Sequence, residues 1–292
     1  MKRLLAALAV TSSALGLGVT LTPVNHVAAA ACSSWNLYSD FRTTPNQANP
    51  NPDSCGNPTV WSFAKSTAAV HNPANYALLS GYTDNFATTT GLDGWYNAAS
   101  ASPIQTPFVM KNTNATPATF AGSVTVPPHS IVVHPGSEAS AAEGYYVVVG
   151  WTSPIAGSVS VTGGVSDDDP NGAGAADGIA WSIDSFKAST NTTLTSGSYP
   201  NGGAQAFPTG TGGPASVTNI PVAVGDVLYF VVDPGANYFN DSTNLDVTIT
   251  ASAPVNTPEA PLGALAFAGV GAAALAVWTR RSGRRRSTDL SS

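Results

Sequence analysis

The central part of this 292-residue chain contains few basic side chains. Between residues 32 and 257 there are four lysines and arginines against fifteen aspartates and glutamates, a net charge of −11. The other basic residues lie at the two ends, so the whole chain has a net charge of only −6. A surface this acidic has no basic stripe to neutralise phosphates, which argues against nucleic acid as a partner.

Cysteine is also scarce, since Cys32 and Cys55 are the only two in the chain. Disulfides persist in exported proteins, so we predict a Cys32–Cys55 bridge that closes the loop containing residues 49–54. Free thiols, or acylation of Cys32 directly after a run of alanines, are the alternatives. His-x-x-x-His and Gly-x-Ser-x-Gly strings are absent as well, and the sequence predicts no catalytic residue.

The N-terminus has the order of segments found in a secretory signal peptide. Lys2 and Arg3 are followed by an uncharged apolar run from Leu4 to about Leu21, and small residues then accumulate at 28–31. This order predicts a signal peptide over residues 1–31 and export of the rest. An uncleaved N-terminal membrane helix is the alternative.

The C-terminus predicts a membrane anchor. A proline-marked linker over residues 254–261 precedes an apolar segment at 262–279, and twenty residues without charge lie between Glu259 and Arg280. That length suits a helix crossing a hydrocarbon core of ~30 Å. The basic tail at 280–292 should stay in the cytoplasm, which places residues 32–253 on the extracellular face of a single-pass protein.

The sequence before the predicted helix resembles a bacterial sorting signal. Pro258-Glu259-Ala260-Pro261 is similar to the Pro-Glu-Pro type, in which a short motif precedes a helix and an arginine cluster, although an alanine is interposed here. The resemblance implies display at the cell membrane or cell wall, with processing by a transpeptidase-like enzyme. A plain anchor without processing is the alternative.

Helical periodicity is almost absent between residues 32 and 257, where short runs are bounded by Gly, Pro, Asn and Asp. Gly157–Thr162 and Leu245–Thr250 alternate, and Val227–Val232 is apolar throughout, as expected of a central strand. The other predicted strands are Phe108–Lys111, Ala118–Val126, Ser130–His134, Tyr145–Thr152, Gly178–Ser185 and Ala215–Asn219. Together they predict an all-β fold, an antiparallel β-sandwich whose core strands lie in 127–253 and whose less regular part is 32–126.

Four segments of this region resemble the galactose-binding-like or jelly-roll modules of bacterial surface proteins and glycan-degrading enzymes. They are 134–136 (His-Pro-Gly), 149–157, 177–183 and 224–233. The resemblance implies a jelly-roll-like sandwich and, by association, a carbohydrate-related role.

One acidic loop has the spacing of calcium ligands. Asp167, Asp169 and Asn171 fall on a D-x-D-x-N-G string, and Asp177 adds a further oxygen. The bidentate glutamate of the full calcium loop is missing, because Gly178 occupies its place. We predict a calcium site at these four residues, with a solvated acidic turn as the alternative. A second oxygen-rich loop spans 233–241.

Sugar binding requires aromatic faces with polar neighbours. Trp95, Tyr96 and Tyr238 lie in predicted loops and are the candidate ligand-binding residues, with packing onto a sheet edge as the alternative for Trp95. Trp151 and Trp181 lie within predicted strands and are expected in the core.

These features predict a surface-anchored, non-catalytic module that binds an extracellular glycan or surface protein, with calcium as a stabilising cofactor. A structural coat or adhesion component without a small ligand is one alternative. An extracellular hydrolase is another, and it requires two carboxylates that converge in a cleft.

Overall fold

The computed structural model describes residues 32–137, 139–169 and 177–252. Within these ranges no helix is both long and apolar enough to cross a membrane. The predicted signal peptide (1–31), linker (254–261), anchor helix (262–279) and basic tail (280–292) lie outside the described residues.

The described residues are mostly β-structure. The strands in chain order are β1 Ser34–Asn36, β2 Trp61–Ser66, β3 Tyr76–Leu78, β4 Gly81–Thr83, β5 Leu92–Tyr96, β6 Phe108–Asn112, β7 Ala118–Phe120, β8 Val124–Val126, β9 Ile131–His134, β10 Val147–Thr152, β11 Gly157–Asp167, β12 Ile179–Lys187, β13 Thr190–Tyr199, β14 Ala204–Ala206, β15 Ile220–Val222, β16 Val227–Asp233 and β17 Thr243–Ala251. Two short α-helices, α1 Leu37–Asp40 and α2 Gly213–Ser216, and three 3₁₀ turns at Pro73–Asn75, Phe86–Thr88 and Phe207–Thr209 connect them.

The strands form two large antiparallel sheets. Sheet A has the order β14-β11-β17-β9-β6-β5-β4, with β1 also paired to β17 and β15 also paired to β11. Sheet B has the order β13-β12-β16-β10-β2-β3, and β7 and β8 form a separate hairpin. Every pairing between these strands is antiparallel, which confirms the predicted all-β, antiparallel class.

The main hydrophobic core lies between the two sheets. Trp35 of β1 meets Trp151 of β10 edge-on across the interface, with ring centroids 5.2 Å apart. Phe230 of β16 meets Phe207 from the connection after β14 at 5.7 Å. Each fully buried large side chain of this kind contributes roughly 1.5–3 kcal/mol relative to exposure, so the interface stabilises the sandwich.

Two smaller clusters cover the outer faces of the sheets. Phe108 and Met110 of β6 pack under the β7–β8 hairpin, while their neighbour Val109 belongs to the main core. On sheet B, Val148 and Val231 form an outer cluster with partly buried tyrosines. Strand alternation explains the division, because successive side chains point to opposite faces.

Several predictions about strands and core are confirmed. The apolar run at Val227–Val232 is β16, which lies between β12 and β10 in the middle of sheet B. In β17 the apolar Leu245, Val247 and Ile249 are buried, as alternation requires. Trp151 and Trp181 are buried core residues, as expected.

Two predicted strands are wrong. Ala215–Asn219 does not form a strand, because Pro214 lies in the first turn of the short helix α2 and β15 begins only at Ile220. Ala118–Val126 is two strands, because the chain reverses after Phe120 through Ala121 and Gly122, which both have positive φ.

The disulfide Cys32–Cys55 is present and fastens the start of the domain. Beside it, Asp53 accepts hydrogen bonds from Trp35 Nε1 (2.8 Å), the backbone nitrogens of Cys55 and Asn57, and Asn57 Nδ2. Four donors therefore serve one buried carboxylate. Asp53, Cys32 and Cys55 have donor atoms within 4.8 Å of one another, but both sulfurs are used in the disulfide.

Candidate functional site

The floor of a candidate binding site is formed by small residues on the outer face of sheet B. β12 and β13 pair Ser182 with Ser196 and Ala180 with Ser198. Because alternation turns most of the bulky Trp181 side chain toward the core, the outward-pointing side chains of these two pairs are small, although Trp181 still lines part of the cavity. The result is a depression instead of a filled surface.

A cavity of about 650 Å³ occupies this depression. Its volume falls within the range of about 300–1,000 Å³ typical of small-ligand sites. Six of its thirteen lining residues carry hydroxyl groups, namely Ser182, Thr193, Ser196, Ser198, Thr209 and Thr211. A hydroxyl both donates and accepts hydrogen bonds, so this lining suits a neutral, hydroxylated ligand.

The segment at 209–211 closes one side of the cavity by adding to the free edge of β13. Thr211 N donates to Ser196 O at 2.8 Å, and the hydroxyls of the same two residues lie 3.0 Å apart. Gln205 fixes this end, since its Oε1 accepts from Trp181 Nε1 at 2.9 Å and its Nε2 donates to Thr209 O. The polar rim is therefore held in place by the core beneath it.

His71 lies at the other side of the cavity, on the connection between β2 and β3. Its Nδ1 is 3.1 Å from Asp184 Oδ2, and its carbonyl accepts from Asn191 Nδ2 at 2.9 Å. Asp184 is fully buried, and its other oxygen accepts from Thr193 Oγ1 at 2.7 Å. The hydrogen bond to Asp184 raises the pKa of His71, because the carboxylate favours the protonated ring.

Ser182, His71 and Asp184 have the residue types of a hydrolytic triad but a different geometry. Ser182 Oγ and Asp184 Oδ2 both lie 3.1 Å from the same ring nitrogen, Nδ1. A working triad places the carboxylate on one nitrogen and the nucleophile on the other. The Asp184 carboxylate orients the His71 ring here. Ser182 contacts the same nitrogen instead of the second one, where a general base would accept its proton.

Asp233, at the end of β16, is the carboxylate among the described residues that line the cavity. Burial raises its pKa, while a hydrogen bond from Gly235 N and the nearby His71 act in the opposite direction. Glycoside hydrolysis uses two carboxylates that flank the scissile bond. The lining brings only one such group to the cavity.

The two acidic loops predicted from the sequence meet at the adjacent end of the sandwich. Asp177 accepts hydrogen bonds from Ala236 N at 2.7 Å and from Asn237 Nδ2 at 2.8 Å. Asp169 Oδ2 accepts from Asn240 Nδ2 at 2.9 Å. The loop at 233–241 is thus held by carboxylates that flank the predicted calcium loop.

Several carboxylate oxygens near this junction are buried without a hydrogen bond from the described residues. They are Asp168 Oδ2, Asp169 Oδ1 and both side-chain oxygens of Asp241. Burial raises the pKa of Asp241 to about 9, and repulsion from Asp177 and Asp167 adds to the rise. Burial likewise raises the pKa of Asp168 to about 8, with a further contribution from Asp167.

The predicted calcium ligands have different surroundings. Asp167 accepts from Asp169 N and from Gly202 N, and Asp177 is engaged by the 233–241 loop. Asn171 lies outside the described residues. The prediction that Asp167, Asp169, Asn171 and Asp177 share one cation stays a prediction.

The three predicted sugar-stacking aromatics occupy separate places. Trp95 of β5 packs against the main core and meets Tyr82 edge-on, while the next residue, Tyr96, packs against the cluster on the opposite face. Tyr238 lies in the 233–241 loop and stacks on Phe239, with centroids 4.7 Å apart. None of the three is among the residues that line the cavity.

Sequence reasoning missed the hydroxylated cavity and its histidine. β13 carries Thr or Ser at six of its ten positions, and this polar run gave no apolar alternation by which to recognise a strand. His71 is 113 residues from Asp184, so their contact depends on the fold. The signal that was present is the pairing of two serine-rich segments, 182–185 and 192–198.

No protein-family model matches this chain, and no curated protein sequence matches it. Function is therefore inferred from the geometry of the site.

Proposed function

We propose that this protein is a non-catalytic binding module of jelly-roll-like form that takes a hydroxyl-rich ligand of the glycan class. The observation that carries the proposal is the cavity of about 650 Å³ whose lining includes six Ser and Thr residues. Sugar hydroxyls donate and accept hydrogen bonds, as this lining does.

The charge of the lining supports a neutral ligand. Asp233 is a carboxylate, His71 is the lining residue that can carry a positive charge, and lysine and arginine are not among the described residues there. The geometry of Ser182, His71 and Asp184 supports binding over hydrolysis, because both partners meet the same ring nitrogen.

The place of action in this proposal is the outer face of a cell envelope. Support comes from the order of segments at both ends of the sequence, a signal-peptide pattern at 1–31 and an apolar segment with a basic flank at 262–292. The Cys32–Cys55 disulfide adds support, because such bonds persist in oxidising compartments.

A glycan array probed with the full chain in mild detergent tests the proposal. Ser198→Trp would fill the cavity from an exposed position of β13, and Thr190→Trp, on the same strand but outside the lining, is the matched control. We expect Ser198→Trp to lower the affinity for a bound glycan by about tenfold or more, because the ligand and the indole compete for one space. Thr190→Trp should bind like the unmodified chain.

Two results would overturn this function. One is a folded protein that binds no glycan on the array. The other is unchanged affinity in Ser198→Trp, which would place the ligand away from the cavity.

A further inference from the structure

The register of β11 and β17 brings two aspartates to the same end of the strand pair. The last paired residues are Asp167 and Thr243, and Asp168 N donates to Ser242 O at 2.8 Å beyond them. Asp169 and Asp241 follow just beyond these residues on the two strands, and Asp169 is one of the carboxylates that raise the pKa of Asp241. Like charges close together on paired strands repel each other.

Both carboxylates are removed from solvent. Asp241 is 1% exposed and Asp169 is 4% exposed. Both oxygens of Asp241 and Oδ1 of Asp169 have no hydrogen-bond partner among the described residues. Buried polar groups are normally satisfied, and a buried charge without a partner costs several kcal/mol, so this pair requires an explanation.

The basic side chains of residues 32–252 are committed elsewhere. Each of the four donates to a different part of the fold, namely Arg42 to Asp53 O, Lys65 to Asn97 and Ala142, Lys111 to Phe41 O and Lys187 to Pro221 O. Asn240, the amide nearest in sequence, already donates to the other oxygen of Asp169. The described chain therefore supplies no lysine or arginine to this pair, and burial lowers the pKa of His134, which interacts with Asp169, to about 4.

We infer that Asp241 and Asp169 bind a divalent cation of the calcium type at the junction of the two acidic loops. Three free carboxylate oxygens are at hand, and two carboxylates balance the charge of the ion. Calcium takes six to eight oxygen ligands and accepts backbone carbonyls, amide oxygens and water for the remainder. This site differs from the one predicted from the sequence, because Asp241 replaces Asp167, Asn171 and Asp177 as the principal ligand. It does not depend on glycan binding in the cavity.

Calorimetric titration of the full chain in mild detergent tests this inference. The protein is stripped with a chelator and titrated with calcium chloride to about 10 mM, since extracellular modules bind calcium with Kd of about 10⁻⁴–10⁻³ M. We expect one saturable site, and a loss of affinity of about tenfold or more in Asp241→Asn and in Asp169→Asn, because the number of charged ligands sets calcium affinity. Asp246→Asn, an exposed position of β17, is the matched control and should bind normally.

Thermal unfolding with and without calcium separates a lost ligand from a lost fold. Calcium should raise the Tm of the unmodified chain and of Asp246→Asn, and should leave the Tm of Asp241→Asn unchanged. Absence of calcium binding by the folded chain would overturn the inference. So would binding that survives in both Asp241→Asn and Asp169→Asn, since the ion would then lie elsewhere.

Discussion

Two buried aspartates at different places in this sandwich differ in the number of hydrogen-bond donors that reach their carboxylates. Asp53, beside the disulfide, and Asp241, two residues before β17, are each 1% exposed. Four nitrogen donors converge on the carboxylate of Asp53. The carboxylate of Asp241 has no donor among the described residues.

The difference distinguishes a structural carboxylate from one that needs an external partner. Hydrogen bonds to a charged group are each worth roughly 1.5–3 kcal/mol, so Asp53 repays its burial within the chain. Asp241 does not, and its neighbours are further aspartates. The same degree of burial is therefore offset by hydrogen bonds at Asp53 and is not offset within the chain at Asp241.

The largest expected effect is at Asp53. Asp53→Asn places an amide group among donors that need an acceptor, so the free energy of unfolding should fall by about 3–5 kcal/mol. Urea unfolding measures this, with the exposed Asp84→Asn as the control. A change at Asp53 as small as that of the control would show that the four donors are satisfied in another way.

The disulfide should come next. Replacing both Cys32 and Cys55 by Ser removes a cross-link between residues 23 apart in sequence and should lower the free energy of unfolding by about 3 kcal/mol. The unmodified chain unfolded in a reducing agent provides the comparison and should match the double variant. A double variant as stable as the oxidised chain would mean that the Asp53 network alone holds this end of the domain.

Replacement of Asp by Asn should have the opposite effect on the free energy of unfolding at Asp241. In chelator, Asp241→Asn removes a buried carboxyl group without a hydrogen-bond partner and should raise the free energy of unfolding by about 1–3 kcal/mol. Asp246→Asn, measured by the same urea unfolding, should change little. If Asp241→Asn lowered the free energy of unfolding instead, the carboxylate of Asp241 would stabilise the fold as that of Asp53 does, and the two aspartates would not differ.

The smallest effect concerns pH and the His71–Asp184 pair. The folded-state pKa of His71 is raised, so its contribution to stability is complete below the unfolded value near 6.5 and is lost as pH rises through the folded value. The pair is partly exposed, so its contribution should be about 1 kcal/mol at most. Thermal unfolding of the unmodified chain and His71→Gln from about pH 6 to about pH 9 should show a difference that shrinks with rising pH. Asp168 and Asp241 also titrate in this range, but they do so in both proteins and cancel in the difference. A difference in Tm that grows with pH would therefore contradict the assignment to His71.

The fold class could be predicted from local hydrophobic patterns, because the strands of the structure bury the apolar faces that these patterns mark. Runs with an apolar stripe, such as Leu245–Thr250, became buried strands because one face must leave water. Short or polar strands escaped notice, among them β1, β4 and β13, because hydrogen-bonded neighbours and not hydrophobic alternation hold them in place.

The sites were less predictable than the sheets. The two oxygen-rich loops were recognised from their composition, and their meeting through Asp177 and Ala236 joins residues 59 apart in sequence. Which carboxylate oxygens stay free depends on the register of β11 and β17, which no local pattern specifies. The cavity likewise needs β12, β13 and the His71 connection together.

Strand β17 also spans the domain, from the pole where the chain enters and leaves to the pole where the acidic loops meet. Its C-terminal half pairs with β1, and Ala251 N donates to Ser33 O at 2.9 Å, so the chain enters and leaves the domain side by side. At about 3.3 Å per residue, the nine residues of β17 extend for about 26 Å from this point to the junction of the acidic loops. A tether fastened after Ser252 would therefore pull on a strand bonded along both edges and leave the opposite pole, with Asp233 and Asp241, facing away from the support.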